Sequence, residues 1–110
     1  MCVVSASGQH NGTPAVRQVV SVGGRIVLDC YSLKNQTVIW YKWEKGEQKY
    51  VVDNDIIQNG YVDRFNISNT SKNDHSLVIE RASTSDAGHY QCIEDLGQGR
   101  KHDYDLHVES

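Results

Sequence analysis

An all-β fold, an antiparallel sandwich or barrel, is the class this sequence predicts, and three observations point to it. Alternation of apolar and polar residues with period two recurs along the chain. Turn signals separate the alternating runs at short intervals. No window keeps an apolar helical face for three turns.

The elements follow in order. Ile26-Val27-Leu28-Asp29-Cys30 is the first strong run, and Gly23-Gly24 precedes it as a turn. Val38-Ile39-Trp40-Tyr41-Lys42-Trp43 is the second, closed by Lys45-Gly46. Phe65-Asn66-Ile67, Leu77-Val78-Ile79, Tyr90-Gln91-Cys92-Ile93 and Tyr104-Asp105-Leu106-His107-Val108 continue the pattern. Asn59-Gly60, Asp86-Ala87-Gly88 and Gly97-Gln98-Gly99 supply the remaining turns. With no linker, repeat or low-complexity tract, one domain over 1–110 is expected.

Composition narrows the function classes. At 110 residues the chain is about half the length of a catalytic (β/α)8 barrel. The formal charge of −3, with eleven Lys and Arg scattered, offers no basic stripe for nucleic acid. Apolar runs reach four residues at most, so no membrane segment is expected. Met1-Cys2-Val3-Val4 is too short for the apolar part of a secretory leader. Three cysteines allow one internal pair and leave one thiol over.

A family resemblance rests on specific residues. Cys30, Trp40 ten residues later, and Asp86-Ala87-Gly88-His89-Tyr90-Gln91-Cys92 resemble the signature of an immunoglobulin domain. Trp40-Tyr41-Lys42 resembles the third-strand motif, and Asp63-Arg64-Phe65-Asn66-Ile67-Ser68 the fourth-strand segment of variable-type domains. The resemblance implies a two-sheet antiparallel sandwich with one inter-sheet disulfide, Cys30–Cys92, and Trp40 packed against it. Closing a loop of that length stabilises by about 4 kcal/mol on the chain-entropy model. It further implies a tyrosine corner at Tyr90 and a salt bridge from Arg64 to Asp86. These six residues are expected to build the fold whatever the domain binds. Between Trp40 and Arg64 there is room for two extra short strands, near 49–53 and 55–58, so the V-set is expected, with the I-set as rival.

Four Asn-x-Ser/Thr sequons, at Asn11, Asn35, Asn66 and Asn69, join the expected disulfide in pointing outside the cell, to a surface or secreted protein. Asn66 and Asn69 fall on the sheet opposite the third and sixth strands, which glycans there would shield. Cys2 is read as a leftover thiol.

Alternation then selects a contact face. With Trp40 inward, Ile39, Tyr41 and Trp43 point out of the same sheet. With Tyr90 and Cys92 inward, His89, Gln91 and Ile93 point out as well. A hairpin centred near Gln98 sets His89 opposite His107, Gln91 opposite Asp105, Ile93 opposite Asp103 and Tyr90 opposite Leu106. Ile39, Tyr41, Trp43, His89, Gln91, Ile93, Asp105 and His107 are therefore the expected partner-binding residues, exposed aromatics with a polar rim. The two histidines on a flat strand pair do not complete a tetrahedral ligand set, so no metal site is assigned.

The expected function is extracellular protein recognition or adhesion by an immune-type or cell-surface receptor. It docks through this face onto another V-type domain, like or unlike, with a homodimer as one form. The alternative is a secreted or surface defence molecule that binds microbial or glycan ligands through its loops, with Tyr31 and Tyr61 as weak candidates. Leu96-Gly97-Gln98-Gly99 echoes the joining segment of antigen receptors, but Leu106-His107-Val108 comes too late after it. The glycines are read as the hairpin turn. No nucleophile elbow, HExxH or phosphate-cradling loop is present, so neither enzyme activity nor a cofactor is expected.

Overall fold

The computed structural model describes residues 14–34 and 36–110. Cys2 and the sequons at Asn11 and Asn35 lie outside the described residues. The described strands are β1 (Val16–Ser21), β2 (Ile26–Leu28), β3 (Ile39–Glu44), β4 (Glu47–Asp53), β5 (Ile56–Ile57), β6 (Phe65–Ile67), β7 (Leu77–Ile79), β8 (Gly88–Ile93) and β9 (Lys101–Glu109). They form a six-stranded sheet in the order β1-β9-β8-β3-β4-β5 and a three-stranded sheet in the order β2-β7-β6. β1 runs parallel to β9, and the other pairings are antiparallel.

The strands β4 and β5 occupy the extra room between Trp40 and Arg64. Asn54 and Asp55 turn the chain between them with φ of 51° and 68°, as a two-residue hairpin of matching twist requires. β1 is the strand that alternation does not announce. Within it Val20 is buried while Val16 and Val19 are exposed, so its position depends on the hydrogen bonds of β9 rather than on an apolar stripe.

The core lies between the sheets. Leu28, Leu77, Ile79 and Phe65 come from one side, and Trp40, Tyr90, Tyr104 and Leu106 from the other. The Cys30–Cys92 disulfide joins the two layers across 62 residues of sequence. Trp40 is wholly buried, and its indole N–H donates to the His75 carbonyl at 3.1 Å, so burial leaves no polar atom unmatched.

Register differs from expectation in the last hairpin. His89 lies opposite Asp105, Gln91 opposite Asp103, Tyr90 opposite Tyr104 and Ile93 opposite Lys101. The hairpin is centred one residue earlier than Gln98, which moves each partner by two. The cause is the turn Glu94–Gly97, where Asp95, Leu96 and Gly97 all take left-handed backbone, with φ of 56°, 58° and 85°. Three such residues tighten the reversal. Because side chains alternate with period two, the two-residue change keeps every side chain on its expected face. His107 does not meet His89; it pairs with Val19 of β1 instead.

Candidate functional site

The outer face of the six-stranded sheet is built on β3, which sits between β4 and β8. Pairing brings Tyr41 beside Tyr50 and Gln91, and Trp43 beside His89 and Gln48. The rings form a row. Tyr50 and Tyr41 centroids are 4.7 Å apart, Tyr41 and Trp43 6.0 Å, and Trp43 and His89 5.3 Å with an edge-on approach. The Tyr41 hydroxyl donates to the Tyr50 hydroxyl at 3.2 Å. That bond, with help from burial and the nearby Tyr50 and Asp53, pushes the Tyr41 phenol up to about 12. Tyr50 is 49% exposed and belongs to the face although alternation from Trp40 and Tyr90 did not single it out. Its own strand carries a bulge opposite Trp40 and Tyr41, and a bulge hides a strand's period from sequence.

The row ends on two carboxylates of β9. His89 Nε2 lies 2.8 Å from Asp103 Oδ1, and His89 Nδ1 2.9 Å from Asp105 Oδ1. The Gln91 amide donates to the same Asp103 oxygen at 3.0 Å. Asp103 was expected on this face only as the partner of Ile93, and it proves to be the more central of the two acids.

At the upper end the face is covered. The turn Glu94–Gly97 folds back so that the Leu96 N–H donates to the Thr37 carbonyl at 2.9 Å. A Cβ placed on Gly97 would meet Ile39 Cδ1 at 2.7 Å. Ile93, expected to be exposed, is 8% exposed, and Ile39 is half-buried. Tyr41, Trp43, His89 and Gln91 are partly exposed, while Asp105 and His107 are exposed.

A buried carboxylate holds that end in place. Glu94 accepts from Arg100 Nε at 2.9 Å, from the Leu33 N–H at 3.2 Å, and pairs with His102 Nε2 at 2.5 Å. Burial opposes its charge, yet these donors hold its carboxyl below the ordinary range. It thereby ties the loop after β2 to the last hairpin. Nothing in the spacing of Glu94 announced this role, since it depends on three elements meeting.

Arg64, Asp86 and the Tyr90 hydroxyl meet at the opposite end. Arg64 grips Asp86 with two nitrogens, at 2.6 and 2.8 Å, and the Ser83 N–H adds a third bond at 2.8 Å. Burial by itself would raise the Asp86 carboxyl; the guanidinium and the Ser83 amide outweigh it and lower it. Tyr90 donates its hydroxyl to the Asp86 carbonyl at 2.6 Å, which completes the corner. Burial pushes that phenol well above its ordinary range. On the three-stranded sheet, Asn66 and Asn69 are exposed. Asn66 sits on β6 and Asn69 just beyond it.

These features define a class first. Two packed sheets, one disulfide between them, a tryptophan beside it and a tyrosine corner make an immunoglobulin-type sandwich. The chain belongs to the V-set family, since the Immunoglobulin V-set domain model matches residues 13–109. V-set domains are a family of binding modules and are typically extracellular. No curated protein matches the chain, whereas many solved structures share its fold. A structure of murine CRIg is 21% identical over 86% of this chain and 92% of that one, with a TM-score of 0.68. A ZIG-8–RIG-5 IG1–IG1 heterodimer is 17% identical over 93% and 89%, with a TM-score of 0.72. Among the described residues, no helix is long and apolar enough to cross a membrane.

Proposed function

We propose that residues 1–110 act as one extracellular recognition or adhesion domain of an immune-type or cell-surface receptor, and that it docks through the outer face of the six-stranded sheet onto another V-type domain. The observation that carries this reading is the row Tyr50–Tyr41–Trp43–His89. It is an unbroken aromatic stripe across three strands, partly exposed and rimmed by Gln91, Asp103 and Asp105. Partly exposed aromatics inside a polar rim are the anchors interfaces use. Ile39 and His107 extend the face at its margins, while Ile93 lies covered at its upper end. Similarity to one half of an IG1–IG1 heterodimer supports a V-type partner.

Glycans at Asn66 and Asn69 would shield the other sheet and direct docking to this one. Occupancy is read by peptide mapping after deglycosylation; unmodified Asn66 and Asn69 in protein secreted from animal cells would remove the shield.

Docking is tested by sedimentation against concentration, for the domain and for Tyr41→Ala/Trp43→Ala. A dimer that the double variant loses supports pairing through this face. A dimer that survives it moves the interface elsewhere. A monomer at every concentration removes self-pairing and leaves the face to an unlike V-type domain.

A further inference from the structure

The histidine in the aromatic row has an environment that no tautomer of a neutral ring can satisfy. His89 presents Nε2 to Asp103 and Nδ1 to Asp105, at 2.8 and 2.9 Å. A carboxylate oxygen only accepts, and a neutral imidazole has one donor nitrogen and one acceptor nitrogen. A neutral ring therefore makes one of these bonds and turns a lone pair toward a carboxylate at the other. The imidazolium makes both, each strengthened by charge.

Strand geometry enforces the arrangement. Asp105 lies opposite His89 and Asp103 opposite Gln91. Two residues apart on one face of a strand means about 7 Å, enough for an imidazole to stand between the two carboxylates. The pair of histidines expected from sequence would have repelled each other on charging. One histidine between two aspartates reverses that sign.

The other neighbours leave the arrangement intact. From β3 comes Trp43, which meets the ring in a T-shaped contact and carries no charge. From β8, Gln91 donates to Asp103. From β1, Arg17 lies opposite Asp105, and Lys101 and His107 flank the acids along β9. Among the described residues, neither Arg17 nor Lys101 forms an ion pair with Asp103 or Asp105. Asp103 is 19% exposed in its side chain and His89 33%, so the contact is partly withdrawn from solvent.

We propose that His89, Asp103 and Asp105 form a proton-operated latch on the outer face of the sheet. With two protons on the ring, β8 and β9 are clasped through their side chains and His89 holds its edge contact with Trp43. When the ring gives one proton to water, one carboxylate is released toward solvent and the face gains one negative charge. On the reading that this face docks a partner, the latch makes docking depend on pH. The latch itself belongs to the isolated domain and is tested there, so its failure is separable from failure of the docking reading.

The test is an NMR titration of 15N-labelled histidine rings from pH 5 to 9, on the domain and on Asp103→Asn/Asp105→Asn. His75, His102 and His107 serve as internal references. Both His89 ring nitrogens are expected to stay protonated to higher pH in the unaltered domain than in the double variant. Equal midpoints overturn the latch. A second measurement uses His89→Gln, which keeps a neutral donor and acceptor. A histidine that gains partners on folding adds stability at low pH, and that stability is lost as pH rises. The melting temperature of the unaltered domain minus that of His89→Gln is therefore expected to be larger at pH 5.5 than at pH 8.5, by about 4 °C. A difference that does not change with pH overturns the proposal as well.

Discussion

The ammonium of Lys42 lies 2.6 Å from the Glu44 carboxylate, inside the sandwich, with 2% of the lysine side chain exposed. Its second bond runs to the Ser85 carbonyl at 2.7 Å, and it stands 5.7 Å from the centre of the Tyr90 ring. Glu44 reaches partly into solvent, where Lys49 meets its other oxygen at 3.3 Å. The two halves of the pair are therefore unequal. Glu44→Gln strands a buried cation and should cost about 2 kcal/mol, whereas Lys42→Met leaves Glu44 with Lys49 and should cost under about 1 kcal/mol. Urea unfolding of the two variants measures the difference, and equal costs would contradict the asymmetry.

Asp74 predicts how the domain responds to acid. Burial alone would raise its carboxyl, but hydrogen bonds from Thr70, Ser76 and Ser68 outweigh this and bring it down to about 2. The hydroxyl contacts are 2.6, 2.7 and 2.8 Å long. A depressed carboxyl adds stability above its unfolded value, and that stability is lost as pH falls through the folded value. Asp74 should thus contribute roughly 2 kcal/mol at neutral pH that disappears between about pH 4 and pH 2. Asp74→Asn should destabilise at pH 7 and flatten the acid limb of a stability profile.

Arg64 and Asp86 close the lower end with a two-pronged contact. Asp86→Asn removes its charge while leaving Arg64 largely covered, so the loss should be about 3 kcal/mol. Arg64→Lys should lose much of the same contact, because an ammonium cannot make both bonds. Thermal unfolding of the two variants gives the comparison.

On the outer face, the Tyr41 phenol is held near 12 chiefly by its bond to Tyr50. Tyr50→Phe should lower that midpoint, read by ultraviolet absorbance during alkaline titration. The neutral phenol is the form the fold favours. Its contribution is therefore complete below the ordinary tyrosine value of about 10 and lost as pH rises through about 12.

The last hairpin makes predictions of opposite sign at adjacent positions. Leu96 is half-exposed with φ of 58°, so Leu96→Gly should stabilise by up to about 1 kcal/mol. Gly97 has φ of 85° and Ile39 against it, so Gly97→Ala should destabilise by about 1–2 kcal/mol. Chemical denaturation of both reads the signs.

Much of the fold was legible in the chain itself. Alternation and turns pointed to an all-β sandwich or barrel, because a half-buried strand must alternate, and the immunoglobulin resemblance narrowed this to two packed sheets. Cys30, Trp40, Tyr90 and Cys92 marked the centre of the core, and the distance from Trp40 to Arg64 left room for β4 and β5. Those properties are local or depend on spacing. Other features needed the assembled molecule. β1 carries too little apolar pattern to reveal itself and is placed by β9. The pairing of His89 with Asp103 and Asp105, rather than with His107, follows from three left-handed residues at 95–97, a conformation only glycine advertises. Tyr50 reached the face through a bulge, Ile93 was covered by the turn above it, and Glu94 gathered its donors from separate elements. Alternation along a strand determines which face a side chain takes; only tertiary contact decides its partner across the sheet and what covers it.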